Sequence, residues 1–311
     1  MARRRIGQET FRLSSSGSGA SSLDRLASLI DWSAIDAVLS DIHAAAKGEA
    51  AWPPLALFKA MLIAVWYDLS DVKLAEALDD RSSFRRFCGF SSDEATPERT
   101  AFVRLRKVLI ERGLDKALFE AVTDQLKAKA VRVKTGTIVD ATIIASAREA
   151  DGDARWVKHK GRRAVHGFKA HVGADADTAL VEEVAITPAN INDGKAGPDA
   201  LPDDPADVFA DSAYRGNHFG AAVRARGGTP RVIATGMWGN DTRKTLARLD
   251  AYNRPIHKVR GRIEKIFGTW KRSYGLRRMR WCGLAKAAVQ VRFTAIAYNL
   301  KRTLNILSQT A

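Results

Sequence analysis

The hydrophobic period of the chain changes at Gly136, and that change limits what it can fold into more than any other feature. From about residue 30 to residue 130, apolar residues recur at every third or fourth position. The segments are "SAIDAVLSDIHAAA", "PLALFKAMLIAVWY", "SDVKLAEAL", "SFRRFCGF", "RTAFVRLRKVLIERG" and "DKALFEAVTDQLKAKA". They read as short amphipathic helices, and "TPERTAF" offers Thr96 as an N-cap with Pro97 at the first helical position. After Gly136 the period is two. "GTIVDATIIASA" is β-branched and alternating, "GFKAHVGAD" and "ALVEEVAITPAN" read as a strand pair, and "DVFADSAY" reads as a buried strand. A helix in "GNHFGAAVRARGG", a strand in "PRVIATG" and a helical closing segment follow. That order predicts an α/β fold, a mixed sheet flanked by helices, preceded by an all-helical domain. The expected boundaries are a flexible basic and Ser/Gly-rich leader over residues 1–30, helices over 31–134, and the sheet domain with its basic C-terminal helices over 135–311.

Charge follows the same division. Against 50 basic residues stand 35 acidic ones, a formal balance of +15. Residues 1–134 hold 21 basic and 18 acidic residues, a balance of +3, whereas residues 135–311 hold 29 and 17, a balance of +12. A positive field concentrated on one half suits a polyanionic partner. A membrane is a poor candidate, because the best apolar stretch, "PPLALFKAMLIAVWY", is interrupted by Lys59 and is too short to span a bilayer. The first residues are basic but carry no apolar run, so they do not read as a secretory signal. Cys88 and Cys282 are far apart with no ligand-like spacing, as expected of reduced thiols in a cytoplasmic protein.

Three carboxylates stand out. Between Ala251 and Ala311 there are fourteen Lys or Arg residues and a single acid, Glu264. A 100° advance per residue puts His257, Arg260, Glu264 and Lys271 on one helical stripe, beside the apolar face of Val259, Ile263, Ile266, Phe267 and Trp270. Glu264 is therefore expected at the edge of a core. Asp140 interrupts an apolar strand in "GTIVDATII", and Asp211 closes another in "VFADSAY". A carboxylate at either place is costly to desolvate without a positive partner, and three that converged would repel unless a hard cation such as magnesium or manganese lay between them.

Two strand aspartates followed by His257–x2–Arg260–x3–Glu264–x6–Lys271 resemble the DDE transposases of bacterial insertion sequences, particularly the IS-five family, in which a tyrosine normally stands at the position of His257. "VDATII", "GFKAHV", "ITPANINDG" and "FADSAYRG", in that order, resemble the same family, as do "WPPLALFKAMLIAVWYDLSDVKLAEAL" and "TPERTAFVRLRKVL" in the helical region. The resemblance covers roughly residues 50–300 and implies an RNase-H-like catalytic domain. It further implies Asp140, Asp211 and Glu264 as catalytic residues and ligands of two magnesium or manganese ions, with water and then a 3′-OH as nucleophiles. The partners it implies are terminal inverted repeats and target DNA, with the protein as a homo-oligomer on DNA in the bacterial cytoplasm, associated with the nucleoid. Arg260 and Lys271 would neutralise phosphate beside the metals, and His257, Arg254, Lys258 and Arg262 would join Arg272, Arg277, Arg278 and Arg280 along the DNA backbone. Two alternatives stay open: an RNase-H-like nuclease without strand transfer, and a non-catalytic DNA-binding relative.

Other polar residues are read as structural. Asp151, Asp153 and Asp193 are turn formers by composition, and His166, Lys169 and His171 are expected at the surface. Trp238, in "GMWGND", is expected to be buried in its own loop, with stacking on an unpaired base as the alternative.

Overall fold

The computed structural model describes residues 6–7, 21–40, 42, 50–130, 133–158, 161 and 163–310. The Ser/Gly-rich run at 13–20, expected to be flexible, lies outside them. The chain divides into two compact units, one built from residues up to Lys129 with 273–275 and 292–311, the other from 130–272 with 276–291.

The first unit is helical. Its elements are α1 (Ser22–Ala27), α2 (Trp32–Leu39), α3 (Pro54–Trp66), α4 (Asp71–Asp80), α5 (Ser82–Cys88), α6 (Arg99–Glu111) and α7 (Leu114–Ala130), to which residues 292–310 of the last helix are added. Packed structure begins inside the expected leader. Ser21 and Asp24 form a reciprocal capping box, Leu23 and Leu26 are buried, and Asp24 receives Arg86 at 2.9 Å. Thr96 is not a cap, since α6 opens at Arg99 with Glu98 as its N-cap residue, and the Thr96 hydroxyl donates to Asp79 instead. Apart from the half-buried Lys59, α3 is apolar all round, as suits a helix buried at the centre of this unit, with Phe58, Ala60, Leu62 and Ile63 fully enclosed. Residues 292–311 belong with these helices rather than with the sheet domain to which the sequence pattern assigned them. Phe293 meets Phe58 edge-on at 5.3 Å, and the Trp66 indole donates to Ala297 O at 2.9 Å.

The second unit is a six-stranded mixed sheet with helices. In chain order it contains β1 (Gly136–Ala145), β2 (Arg155–Val157), β3 (Val165–Asp175), β4 (Val181–Pro188), α8 (Asp193–Ala196), β5 (Asp207–Ala210), α9 (Asn217–Ala225), β6 (Thr229–Val232), α10 (Thr242–Arg272) and the first turns of α11 (Leu284–Thr310). The strand order is β2-β3-β1-β5-β6, with β4 also paired to β3. β1 runs antiparallel to β3 and parallel to β5, and β5 parallel to β6. This is an α/β RNase-H-like arrangement. The three-residue β2 has no counterpart in the sequence pattern, being too short to show a period. On one face Val139, Val208 and Ala210 pack against Tyr214, Phe219 and Val223. α10 packs over β1 and β5, burying Ile256, Ile263, Ile266 and Trp270. It begins fifteen residues before His257 and runs through Pro255. The carbonyl that Pro255 leaves without an intrahelical partner belongs to Ala251, and both residues are exposed, where a proline costs a helix least.

Candidate active site

β1 and β5 bring the two aspartates together. Val139 is paired with Ala210 across the parallel ladder, and Asp140 and Asp211 are the next residues along each strand. Each carboxylate is anchored by one oxygen and presents the other. Asp140 Oδ1 accepts the amide of Ala141 at 2.8 Å, and Asp211 Oδ1 accepts that of Ala213 at 2.8 Å, capping the 3-10 turn Ser212–Tyr214. The remaining oxygens face one cation from α10. Arg260 Nη2 donates to Asp140 Oδ2 at 2.8 Å and lies 3.9 Å from Asp211 Oδ2.

Burial dominates the electrostatics. The Asp140 side chain is 17 % exposed, and desolvation pushes its carboxyl pKa up to about 6. Arg260 and the Ala141 amide pull in the opposite direction, while the neighbouring Asp211 adds to the rise. Tyr214, fully buried beneath the pair, has its phenol held protonated by burial and by the charges of Asp140, Asp193 and Asp211.

The remaining sequence candidates are spread along α10. Glu264 lies one helical turn beyond Arg260 but is exposed, not at the core edge where its stripe was expected to hold it, because α10 turns Ile263 and Ile266 toward the sheet and Glu264 falls about 100° round the helix from Ile263. Among the described residues no group of three His, Cys, Asp or Glu side chains is gathered as a metal site. His257, Arg254 and Lys258 are exposed, and Arg254 pairs with Asp250 one turn back. Arg262 holds the β3–β4 turn through Ala176 O and lies 3.8 Å from Asp177. Lys271 is half-buried near the end of the helix. Of the further cations, Arg278 donates to Ser146 O at 3.0 Å and Ala147 O at 2.7 Å, so its guanidinium ties the chain to the end of β1.

Two groups of residues depart from the sequence reading. Lys169 and His171 are buried, because β3 is an interior strand covered on both faces, and His166 is half-buried with its ring 5.2 Å from Trp156. Lys169 Nζ lies 2.7 Å from Asp193 Oδ1, so Asp193 is more than a turn former. The signal available was the pair of glycines in "GFKAHVG", Gly167 and Gly173, which flank Lys169 and His171 on the same strand face and leave room for a covering layer; a Cβ on Gly173 would lie 2.0 Å from Ala200 O. Trp238 is 97 % exposed instead of buried in its loop.

Comparison with known families agrees with this arrangement. Residues 132–300 match the family described as Transposase DDE domain, and residues 12–108 match Transposase domain (DUF772). The chain belongs to the DDE transposase family. That membership implies DNA as its partner, and no helix among the described residues is long and apolar enough to cross a membrane. No solved structure matches the chain.

Proposed function

We propose that the protein is an insertion-sequence transposase of the IS-five type, bacterial in origin, which hydrolyses the phosphodiester at a transposon end and joins the freed 3′-OH to target DNA. The single observation that carries this reading is the pair of strand-end carboxylates, Asp140 and Asp211, each anchored through one oxygen and turning the other toward a cation from the facing helix.

The donor set fits the divalent ions the family uses. Two carboxylate oxygens already share one positive group, and hard oxygen ligands suit magnesium or manganese. Asp140 and Asp211 would hold them, with Glu264 as third carboxylate. Two bound divalent ions supply activation of the attacking oxygen and neutralisation of charge on the leaving one. The residues of the chain do the rest. Anchoring of Oδ1 in both aspartates fixes the direction in which Oδ2 points. Burial raises the energy of the ionised Asp140, so the site favours any cation that replaces water there. Arg260, shared between the two carboxylates, would move its charge onto a scissile phosphate, and Lys271 would add to that charge from farther along the helix. His257, Arg254, Lys258 and Arg262 would follow backbone phosphates without reading sequence. The helical unit would bind DNA ends and pair protomers, and the sheet unit, residues 130–272 with 276–291, would perform the chemistry.

The test uses the full chain, a duplex carrying the terminal repeat of its element, and magnesium. Joined product is the expected result. Cleavage without joining would reduce the protein to a nuclease, and retention of DNA without cleavage would leave a binding protein. Asp140→Ala, Asp211→Ala or Glu264→Ala should each abolish cleavage while DNA binding persists, and cleavage retained in one of them removes that residue from the mechanism.

A further inference from the structure

Behind the aspartate pair lies a buried polar group to which the reading above gives no role. Lys169 in β3 is 5 % exposed, and its ammonium donates to Ile191 O at 2.7 Å and lies 2.7 Å from Asp193 Oδ1. His171, two residues along the same strand face, has Nδ1 4.0 Å from that oxygen and Nε2 2.9 Å from Thr187 Oγ1. Burial and the adjacent lysine hold the imidazole neutral, its pKa down at about 4. Lys169 is therefore the cation that compensates Asp193. A buried lysine is expensive to desolvate and contributes less to stability than apolar packing of the same volume.

The pair joins two elements that adjoin those carrying the carboxylates. β3 is hydrogen-bonded to β1 in a register that sets Asp140 opposite Val172, three residues from Lys169. Asp193 opens α8, whose first turn Asn192 caps through the Gly194 amide at 2.9 Å. A Cβ on Gly194 would come within 3.2 Å of Ala213 O and 3.8 Å of Tyr214 Cα, so α8 rests directly on the 3-10 turn Ser212–Tyr214. That turn is the one whose Ala213 amide anchors Asp211 Oδ1. A shift of α8 would tilt the turn and redirect Asp211 Oδ2.

We infer that Lys169 and Asp193 are a positioning pair: by clamping the start of α8 to β3, they fix the turn that aims Asp211 at Asp140. The inference rests on the functional reading above. It assigns no contact with DNA or metal to either residue. Outer partners of this kind typically contribute about 10- to 100-fold to metal affinity or rate.

The experiment compares wild type, Asp193→Asn, Lys169→Met and the double variant as full chains. Three quantities are measured for each: Mn2+ affinity by calorimetry without DNA, DNA-end affinity without metal, and the magnesium dependence of cleavage at saturating DNA. Asp193→Asn is nearly isosteric and preserves the fold if Lys169→Met does not. The expected result for Asp193→Asn is Mn2+ binding weakened about tenfold, a matching rise in the magnesium midpoint, and DNA affinity within about twofold of wild type. The double variant should lose no more than the worse single one, because the two side chains act as a unit. A folded Asp193→Asn protein with wild-type Mn2+ affinity and magnesium midpoint would overturn the pair. So would a loss of DNA affinity equal to the loss of rate, which marks a general structural role. If wild type itself does not cleave DNA ends, the transposase reading fails, and the Mn2+ titration without DNA still decides the pair.

Discussion

Replacing Asp140 by Asn should make the protein more stable while removing its activity. The wild-type carboxyl has its pKa raised from 3.8 to about 6, a shift of about two units, and each unit corresponds to about 1.4 kcal/mol. The ionised form is therefore less stable in the folded protein than in the unfolded chain by roughly 3 kcal/mol, even with Arg260 2.8 Å away. Asn has the same shape and carries no charge; its one oxygen can serve either the Ala141 amide or Arg260 Nη2, and the hydrogen bond given up, about 1 kcal/mol, is smaller than the penalty removed. The sign follows from the raised pKa. Below about pH 4 both states hold the proton and the penalty is absent. Between about pH 4 and pH 6 the unfolded chain releases the proton while the folded one keeps it, so stability falls as pH rises. Above that window the full penalty remains. The assay is urea unfolding in EDTA, followed through hydrogen exchange of the β1 amides, at pH 4 and pH 7 for both proteins. The two should be nearly equal at pH 4, and Asp140→Asn more stable at pH 7 by about 1 to 3 kcal/mol. A difference independent of pH, or a wild type that is the more stable at pH 7, would refute the claim that desolvation outweighs Arg260 at this position.

Arg260→Gln should have the opposite effect on the fold. It leaves Asp140 and Asp211 facing each other without a cation, at a cost of about 3–5 kcal/mol near neutral pH, and the loss should shrink in acid as the carboxylates take up protons; thermal melts from pH 4 to pH 8 check both. Glu264→Gln, by contrast, changes an exposed side chain, so unfolding should stay within about 0.5 kcal/mol of wild type while end cleavage is lost, and an active variant would remove Glu264 from the site. Gly197→Ala would place a methyl group 2.7 Å from the Tyr214 ring and 2.9 Å from that of Phe219, overpacking the layer beneath the site by about 1–3 kcal/mol, which urea unfolding measures directly. Trp238→Ala, at a side chain 97 % exposed, should leave the melting temperature unchanged and weaken binding to single-stranded DNA in a filter assay.

What the sequence made legible follows from how each feature is encoded. Strand positions are local, so the switch to period two located β1, and "DVFAD" located β5, before any contact was known. Each aspartate is likewise conspicuous in its own apolar strand. Their adjacency is a matter of register, and register depends on pairing between segments separated by more than sixty residues. The beginning of α10 has no marker of its own in the pattern, and its exposed first half tolerates Pro255. Lys169 and His171 were misread for a different reason. A charged residue alternating in a strand points outward when one face of the sheet is open to water; Gly167 and Gly173 on that face leave room for a covering layer, and the placement of α8 shows that the face is closed. Glu264 illustrates the converse, since its isolation among fourteen cations is plain in the sequence, whereas its exposure depends on which face of α10 the sheet buries. Single residues out of place in a local pattern were therefore readable, and what compensates each of them was not. For Asp140 the compensating group is 120 residues away at Arg260, and for Lys169 it is Asp193, beyond the next strand.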